Sequence, residues 1–94
     1  MEIEDSGKKK SRIRSIENQF LVEDGRIIVE NRDMDNEAVG MMLFEDIEAV
    51  NIKPAGTLYD GEVEFLLKKG IKLNFKIKKY QEEDFVELKS LLGK

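Results

Sequence analysis

The segment GEVEFLLKKGIKLNFKIK, residues 61–78, decides the fold that the sequence predicts. Its second half alternates strictly between apolar and polar residues, which is the side-chain period of a β-strand. The apolar set is Ile71, Leu73, Phe75 and Ile77, and the polar set is Lys72, Asn74, Lys76 and Lys78. Its first half turns Val63, Phe65 and Leu67 to one side, and Lys68-Lys69-Gly70 supplies a short turn. The segment therefore predicts a β-hairpin with strands at 61–67 and 71–78.

Four further strands are predicted upstream, at 16–22, 26–30, 39–44 and 47–53. Each is a short run with apolar residues bounded by turn signals, a pattern typical of an all-β unit. Asp24-Gly25 predicts a two-residue hairpin turn in which both residues take positive φ. Residues 31–38 are predicted to form a polar loop, and Pro54 ends the 47–53 strand because it has no N–H to donate.

Apolar residues occur on both faces of several predicted strands. The inward set includes Ile16, Phe20, Val22, Val39, Met41 and Leu43, and the opposite set is Leu21, Ile28, Met42, Phe44 and Leu66. Sheet coiling, a docked helix and strand bulges could bury the opposite set. Otherwise it would form an exposed apolar patch, which marks an interface. The candidate interface residues are Leu58 and Tyr59, which lie in a predicted loop, together with Phe44 and Leu66.

The two ends of the chain differ from this pattern. Near the C-terminus, Phe85, Leu88 and Leu92 recur at helical spacing, and Gly93 can end the helix. So short a helix is not stable alone, so we expect it to dock on the sheet. Residues 1–12 are predicted to be a disordered charged arm because they hold too few apolar residues to offset the cost of ordering. The predicted domain is therefore 13–94.

The segment FEDIEAVNIKPAG, residues 44–56, resembles part of the prokaryotic pleckstrin-homology-like (PH-like) families. In those proteins an acidic turn precedes an Ile, a strand follows, and a Lys-Pro-Ala-Gly loop comes next. The strand that opens at Gly61 and the segment 82–88 are similar to their next strand and final helix. The resemblance covers about 16–92.

This resemblance implies a fold that is mainly β with one C-terminal α-helix. It would be a small PH-like barrel or roll of antiparallel strands, capped by the helix. A seventh strand is then expected, either in the 31–38 loop or just before Ile16. The resemblance also implies a binding or assembly role and brings no catalytic residues.

Composition argues against enzymatic chemistry. The chain has no Cys and no His, so it lacks thiol chemistry, the commonest general base and the commonest zinc ligand. The segment that begins at Asp33 starts like a calcium-binding EF-hand loop, but Ala38 and Phe44 stand where that loop needs Gly and Glu. We therefore predict no catalytic residue, no metal site, no cofactor and no small-molecule substrate. The absence of Cys, of a signal sequence and of a membrane-length apolar run predicts a cytoplasmic protein.

Charge is segregated along the chain. Residues 15–65 hold thirteen acidic and three basic residues. The region between Leu66 and Tyr80 has no acidic residue and six lysines, namely Lys68, Lys69, Lys72, Lys76, Lys78 and Lys79. These lysines could bind a membrane headgroup, a nucleic acid or an acidic protein. They could equally form a solvated strand face that protects a sheet edge from pairing.

The sequence favours a non-catalytic binding or assembly module that recognises a protein partner or forms a homo-oligomer. The alternative is a module that binds an anionic ligand, either a lipid headgroup or a nucleic acid, through the lysines of residues 68–79. A net charge of −4 argues against this alternative. The patch also lacks interleaved aromatic residues, on which the bases of a single strand would stack.

Overall fold

A computed structural model describes residues 11–94 as two antiparallel sheets followed by one helix. The first sheet contains, in spatial order, β1 (Ser11–Arg14), β2 (Asn18–Glu23), β3 (Arg26–Asn31) and β4 (Glu37–Leu43). The second contains β5 (Ile47–Lys53), β6 (Gly61–Leu67) and β7 (Lys72–Ile77). The helix α1 spans Glu82–Leu92. The prediction of a mainly β fold with one C-terminal helix is confirmed, whereas no closed barrel forms within these residues.

Strand β1 is the predicted seventh strand, and it occupies the position just before Ile16. It begins at Ser11, so the last two residues of the predicted disordered arm belong to a strand. Residues 1–10 of that predicted arm lie outside the described residues. Strand β2 begins at Asn18, later than predicted, because a turn at Ser15 precedes it. The Ser15 N–H donates to the Asn18 carbonyl at 2.9 Å, and the Asn18 N–H donates to Ser15 Oγ at 3.0 Å. The Ile16 N–H donates to the Lys76 carbonyl at 3.0 Å and so joins the first sheet to β7.

The hairpin turns differ in how many of their residues have positive φ. Asp24-Gly25 joins β2 to β3 as predicted, but only Gly25 of that pair has positive φ, at 85°. Two other pairs have positive φ at both residues: Lys69-Gly70, at 68° and 78°, in the β6–β7 turn, and Asp35-Asn36, at 54° and 58°, just before β4. Two successive residues therefore have left-handed backbone in the β3–β4 connection and in the β6–β7 turn.

Strand β4 corrects the predicted inward set. Val39 and Met41 were expected to face the core, but they are 57% and 54% exposed, whereas Met42 is buried. Met42 is paired with Ile27, which is also buried, so these two residues share the core face. Val29 of β3 pairs with Gly40, but the next residue, Glu30, pairs with Ala38. Val39 is therefore the extra residue of a bulge. The strand also starts at Glu37, inside the predicted polar loop.

Strand β7 keeps the predicted alternation but begins one residue later. Ile71, which was expected to face inward, lies before the strand and is about half exposed. The Leu67 N–H donates to the Ile71 carbonyl at 2.7 Å. The backbone of Ile71 therefore closes the hairpin, while its side chain stays outside the core. Leu73 and Phe75 are half-buried and Ile77 is buried, as predicted for the inward face.

Phe20 joins the two sheets and the helix in one core. Its ring centroid lies 4.8 Å from Phe75 and 5.4 Å from Phe85, both in edge-to-face geometry, and 5.9 Å from Phe65. These rings come from β2, β7, α1 and β6. The core is therefore centred where the sheets face each other and the helix covers them.

The helix docks by the residues that its spacing predicted. Phe85 and Leu88 are buried, and Leu92 packs against the core. Gly93 ends the helix with φ of 71°. The Lys89 ammonium donates to the Val50 carbonyl at 2.6 Å, which ties the last turn of α1 to β5.

Candidate functional site

The three most exposed large apolar or aromatic side chains of residues 11–94 lie around one end of the second sheet. Leu58 is 92% exposed and Tyr80 is 80% exposed, and Tyr59 is also mostly exposed. All three line one surface depression of about 540 Å³, together with Lys78 and Lys79. We call Leu58, Tyr59 and Tyr80 the tip cluster. Leu58 and Tyr59 were predicted as interface residues, whereas Tyr80 was not.

The loop that carries Leu58 and Tyr59 has a defined backbone. The Gly56 N–H donates to the Tyr59 carbonyl at 2.9 Å. The Tyr59 ring lies directly on Gly56, because a Cβ built there would stand 2.5 Å from the ring. The Ala55 N–H donates to the Glu82 carboxylate at 2.6 Å, which ties the loop to the start of α1. The loop therefore presents its exposed side chains from a hydrogen-bonded turn.

The segment that carries Tyr80 is held in the same way. The Lys78 N–H donates to Gln81 Oε1 at 2.8 Å, and the Gln81 N–H donates to the Lys78 carbonyl at 2.9 Å. The buried Gln81 amide also donates to the Ser15 carbonyl at 3.2 Å. A Lys78–Asp60 ion pair at 3.0 Å joins this segment to the β5–β6 loop. Tyr80 is thus fixed beside the loop while its ring stays in solvent.

The other two predicted interface residues lie elsewhere. Phe44 lies in the short 3₁₀ turn between β4 and β5 and packs partly buried against the core. Leu66 is half-buried and is paired with Ala49 and Lys72. It lies near the end of β6 that is remote from the loop carrying Leu58 and Tyr59. The structure does not bring Phe44 and Leu66 together with the tip cluster.

The six lysines of residues 68–79 are interleaved with acidic side chains from neighbouring strands. Lys68 lies 3.7 Å from Asp46, and Lys78 pairs with Asp60. Lys76 is paired in register with Glu62. The charge segregation seen along the chain is therefore partly offset in space, because Asp46, Asp60 and Glu62 lie beside three of the six lysines. Within residues 11–94, Lys69, Lys72, Lys76 and Lys79 have no acidic side chain at salt-bridge distance.

Glu64 shows the effect of this mixed face on protonation. The Asn51 amide donates to its carboxylate at 2.9 Å, and this hydrogen bond is the largest cause of the lowered pKa of Glu64. The positive charges of Lys72 and Lys53 lower the pKa further. Because the folded-state pKa is depressed, the resulting stability is present above the ordinary pKa of a Glu. It is lost as the pH falls through the lowered value.

We therefore expect the Asn51→Ala substitution to raise the pKa of Glu64 toward its ordinary value. The reason is that the charged carboxylate loses its main hydrogen-bond donor. An NMR titration of the Glu64 side-chain carboxyl carbon measures the change. Asn74→Ala is the matched control and should raise this pKa less, since Asn74 is a smaller cause. An unchanged Glu64 pKa in Asn51→Ala would contradict the assigned cause.

A second exposed region lies on the first sheet, and we call its residues 31–41 the acidic hairpin. They form the turn and the first half of the edge strand β4, whose first five residues are all exposed. The carboxylates of this segment are Asp33, Asp35 and Glu37, and its large exposed apolar side chains are Met34, Val39 and Met41. The single cation, Arg32, donates to the carbonyls of Ser15 at 2.7 Å and Ile16 at 3.3 Å. Its guanidinium is thus engaged within the chain.

Neither a metal cluster nor a membrane-spanning helix is found in the part of the chain that the structure describes. Over residues 11–94, no three acidic side chains are grouped to hold a metal ion. Over the same residues, no helix has the length and apolar content to cross a bilayer. Comparison with known proteins found no matching family model, no matching curated protein and no matching solved structure.

Proposed function

We propose that this protein is a non-catalytic protein-binding module of PH-like fold, and that the tip cluster is its contact surface. The exposure of Leu58 and Tyr80 on hydrogen-bonded segments carries the proposal. Exposed apolar groups that are gathered at one site mark interfaces. Tyrosines are suited to such a site because each has an apolar ring and a polar hydroxyl.

The rigidity of the tip supports the same proposal. Binding costs free energy when side chains and loops must be ordered on contact. Here the Gly56–Tyr59 turn, the Ala55–Glu82 bond and the Lys78–Asp60 pair already fix the backbone around the depression. A partner therefore meets a surface that is already ordered.

The PH-like assignment is part of the proposal. Its support is the order of the elements: a four-stranded antiparallel meander, a three-stranded one and a C-terminal helix. The resemblance at residues 44–56 implies this same order, and the sheets meet through the Ile16–Lys76 hydrogen bond. A cytoplasmic location is likewise proposed, on the absence of Cys.

The second candidate function is the binding of an anionic lipid headgroup or nucleic acid. The exposed side chains of Lys69, Lys72, Lys76 and Lys79 support it, since none of them forms a salt bridge among the described residues. The pairing of Lys68 and Lys78 with aspartates counts against it. We therefore favour a protein partner.

We expect a photo-crosslinking amino acid at position 58, in the full chain expressed in cells, to yield discrete protein adducts. The matched control is the same residue at position 91, because Leu91 is also an exposed apolar side chain but lies on α1 outside the tip cluster. Position 91 should yield few adducts. Mass spectrometry of the crosslinked species measures both.

The double substitution Leu58→Ala/Tyr80→Ala should then weaken binding to the identified protein by about tenfold or more, as for residues at the centre of an interface. Equal adduct patterns at positions 58 and 91 would contradict the assignment of the tip. Adducts with lipid or nucleic acid in place of protein would favour the anionic-ligand function.

A further inference from the structure

We infer that the partner of the tip cluster is the acidic hairpin of a second copy of this chain. The inference rests on the proposed function, because it names what the tip binds. It is carried by three features of the acidic hairpin, which are its lack of a covering layer, its charge and its apolar side chains.

The first half of β4 lacks the cover that a strand ordinarily has. A sheet buries at least one face against another layer. Here the five residues 37–41 are all exposed, and burial begins only at Met42. Val39 and Met41 each expose more than half of their surface on an edge strand. Residues 11–94 therefore leave a paired but uncovered segment, which a second molecule can cover.

The backbone of the acidic hairpin favours a loop over a strand as its occupant. Strand addition needs a regular ladder, and a bulge at Val39 interrupts this one. Asp35 and Asn36, just before the strand, both have positive φ, so the ladder cannot be extended in that direction either. Contact must then come through side chains, as a protruding loop such as the tip would provide.

The charges of the two surfaces are complementary. The acidic hairpin carries Asp33, Asp35 and Glu37 against one cation that is engaged within the chain. Among the described residues, the tip depression is lined by Lys78, which is paired with Asp60, and by Lys79, so Lys79 gives it a net positive charge. Contact between two tips, or between two acidic hairpins, would place like charges together. The tip-to-hairpin contact alone places opposite charges together, and this selects it over the symmetric contacts.

The apolar side chains also match. Leu58, Tyr59 and Tyr80 protrude from the tip, and Met34, Val39 and Met41 are exposed on the acidic hairpin. Methionine side chains adapt to irregular surfaces and make favourable contacts with aromatic rings. Because every copy has a net charge of −4, copies repel at long range. This repulsion opposes the contact, and added salt screens both the repulsion and the attraction between the two surfaces.

Each copy carries one tip and one acidic hairpin, which makes the contact heterologous. Such contacts join molecules head to tail into closed rings or open chains. This property allows a complementation test with two variants of the full chain. The tip variant is Leu58→Ser/Tyr80→Ser, and the hairpin variant is Val39→Ser/Met41→Ser. All four side chains are mostly exposed, so each variant should keep the wild-type thermal unfolding midpoint.

We expect the mass of the wild type, measured by light scattering and sedimentation velocity, to rise from micromolar to millimolar protein. Each variant alone should remain a monomer, because one half of every contact is missing. An equimolar mixture of the two should form a 1:1 heterodimer and nothing larger, since it contains one intact tip and one intact hairpin. The control Val86→Ser/Leu91→Ser removes exposed apolar side chains from α1 and should associate like the wild type.

Four other outcomes of these experiments would contradict the inference in whole or in part. A mixture that stays monomeric overturns the inference. A hairpin variant that still associates, beside a tip variant that does not, retains the tip as a contact surface and overturns the hairpin as its partner. A monomeric wild type with position-58 adducts to a different protein overturns self-recognition and leaves the proposed function standing. Association of both variants like the wild type overturns the inference, because neither surface is then needed for it, and the adducts from position 58 still decide the proposed function.

Discussion

The Phe20→Ala substitution is expected to lower the free energy of unfolding by about 3–5 kcal/mol. The side chain is fully buried, and its ring makes edge-to-face contacts with Phe75 and Phe85. Truncation removes the transfer free energy of the ring and these aromatic contacts, and it leaves a cavity between three elements that cannot all move inward. A domain of this kind has a total stability of about 5–15 kcal/mol, so the loss is a large part of it.

Urea denaturation followed by circular dichroism measures this effect, with Leu91→Ala as the control. Leu91 is exposed on α1, so its truncation should change the unfolding free energy by less than about 0.5 kcal/mol. A loss below about 1 kcal/mol for Phe20→Ala, less than an ordinary core truncation costs, would contradict the placement of Phe20 at the centre of the core. The slope of the transition should stay constant if the variant still unfolds in one step.

The Gly61→Ala substitution is the second change expected to have a large effect, a loss of about 1–3 kcal/mol in unfolding free energy. A Cβ at Gly61 would stand 2.5 Å from the Lys53 carbonyl oxygen and 2.7 Å from the Ala55 nitrogen. Both are backbone atoms, so neither can rotate away. The entropy that Ala removes from the unfolded chain gives back only about 0.4–1 kcal/mol. The steric contact therefore outweighs it.

Gly40→Ala is the matched control for this prediction. Gly40 also lies in a strand and lacks positive φ, but a Cβ there would meet no atom within 4 Å. Gly40→Ala should therefore leave thermal and urea midpoints unchanged or slightly higher. Because Lys53 and Ala55 lie at the start of the loop that carries Leu58 and Tyr59, Gly61→Ala should also reduce crosslinking from position 58. Equal stability of the two variants would contradict the close approach of the β5 and β6 backbones.

The elements predicted most accurately from the sequence are those with apolar residues on one face only. The 61–78 hairpin alternates cleanly and α1 has a clear helical spacing, so both were placed within about one residue. Strand β4 was misread because Val39, Met41 and Met42 supply apolar residues to both faces. In such a strand the pairing partner decides the face, and the sequence does not show that Met42 pairs with Ile27.

The candidate site was predicted only in part for a similar reason. Leu58 and Tyr59 could be found because they are apolar residues in a loop between a Pro and the next strand. Tyr80 lies in a connecting segment among lysines, where alternation gives no signal. Its place beside the loop follows from long-range contacts such as the Lys78–Asp60 ion pair. The acidic neighbours of these lysines depend on strand pairing, such as that of Glu62 with Lys76, which a count of charges along the chain does not show.

The nearest-neighbour order of the strands has a consequence for synthesis on the ribosome. Within residues 11–94, every strand pairs only with strands next to it in the chain, so the pairing can proceed hairpin by hairpin as the polypeptide emerges. The contacts that close the domain come last, since Gln81 reaches back to Ser15 and Phe85 back to Phe20. A nascent chain from which α1 has not yet emerged would therefore leave the aromatic core exposed, and the emergence of α1 is the step that covers it.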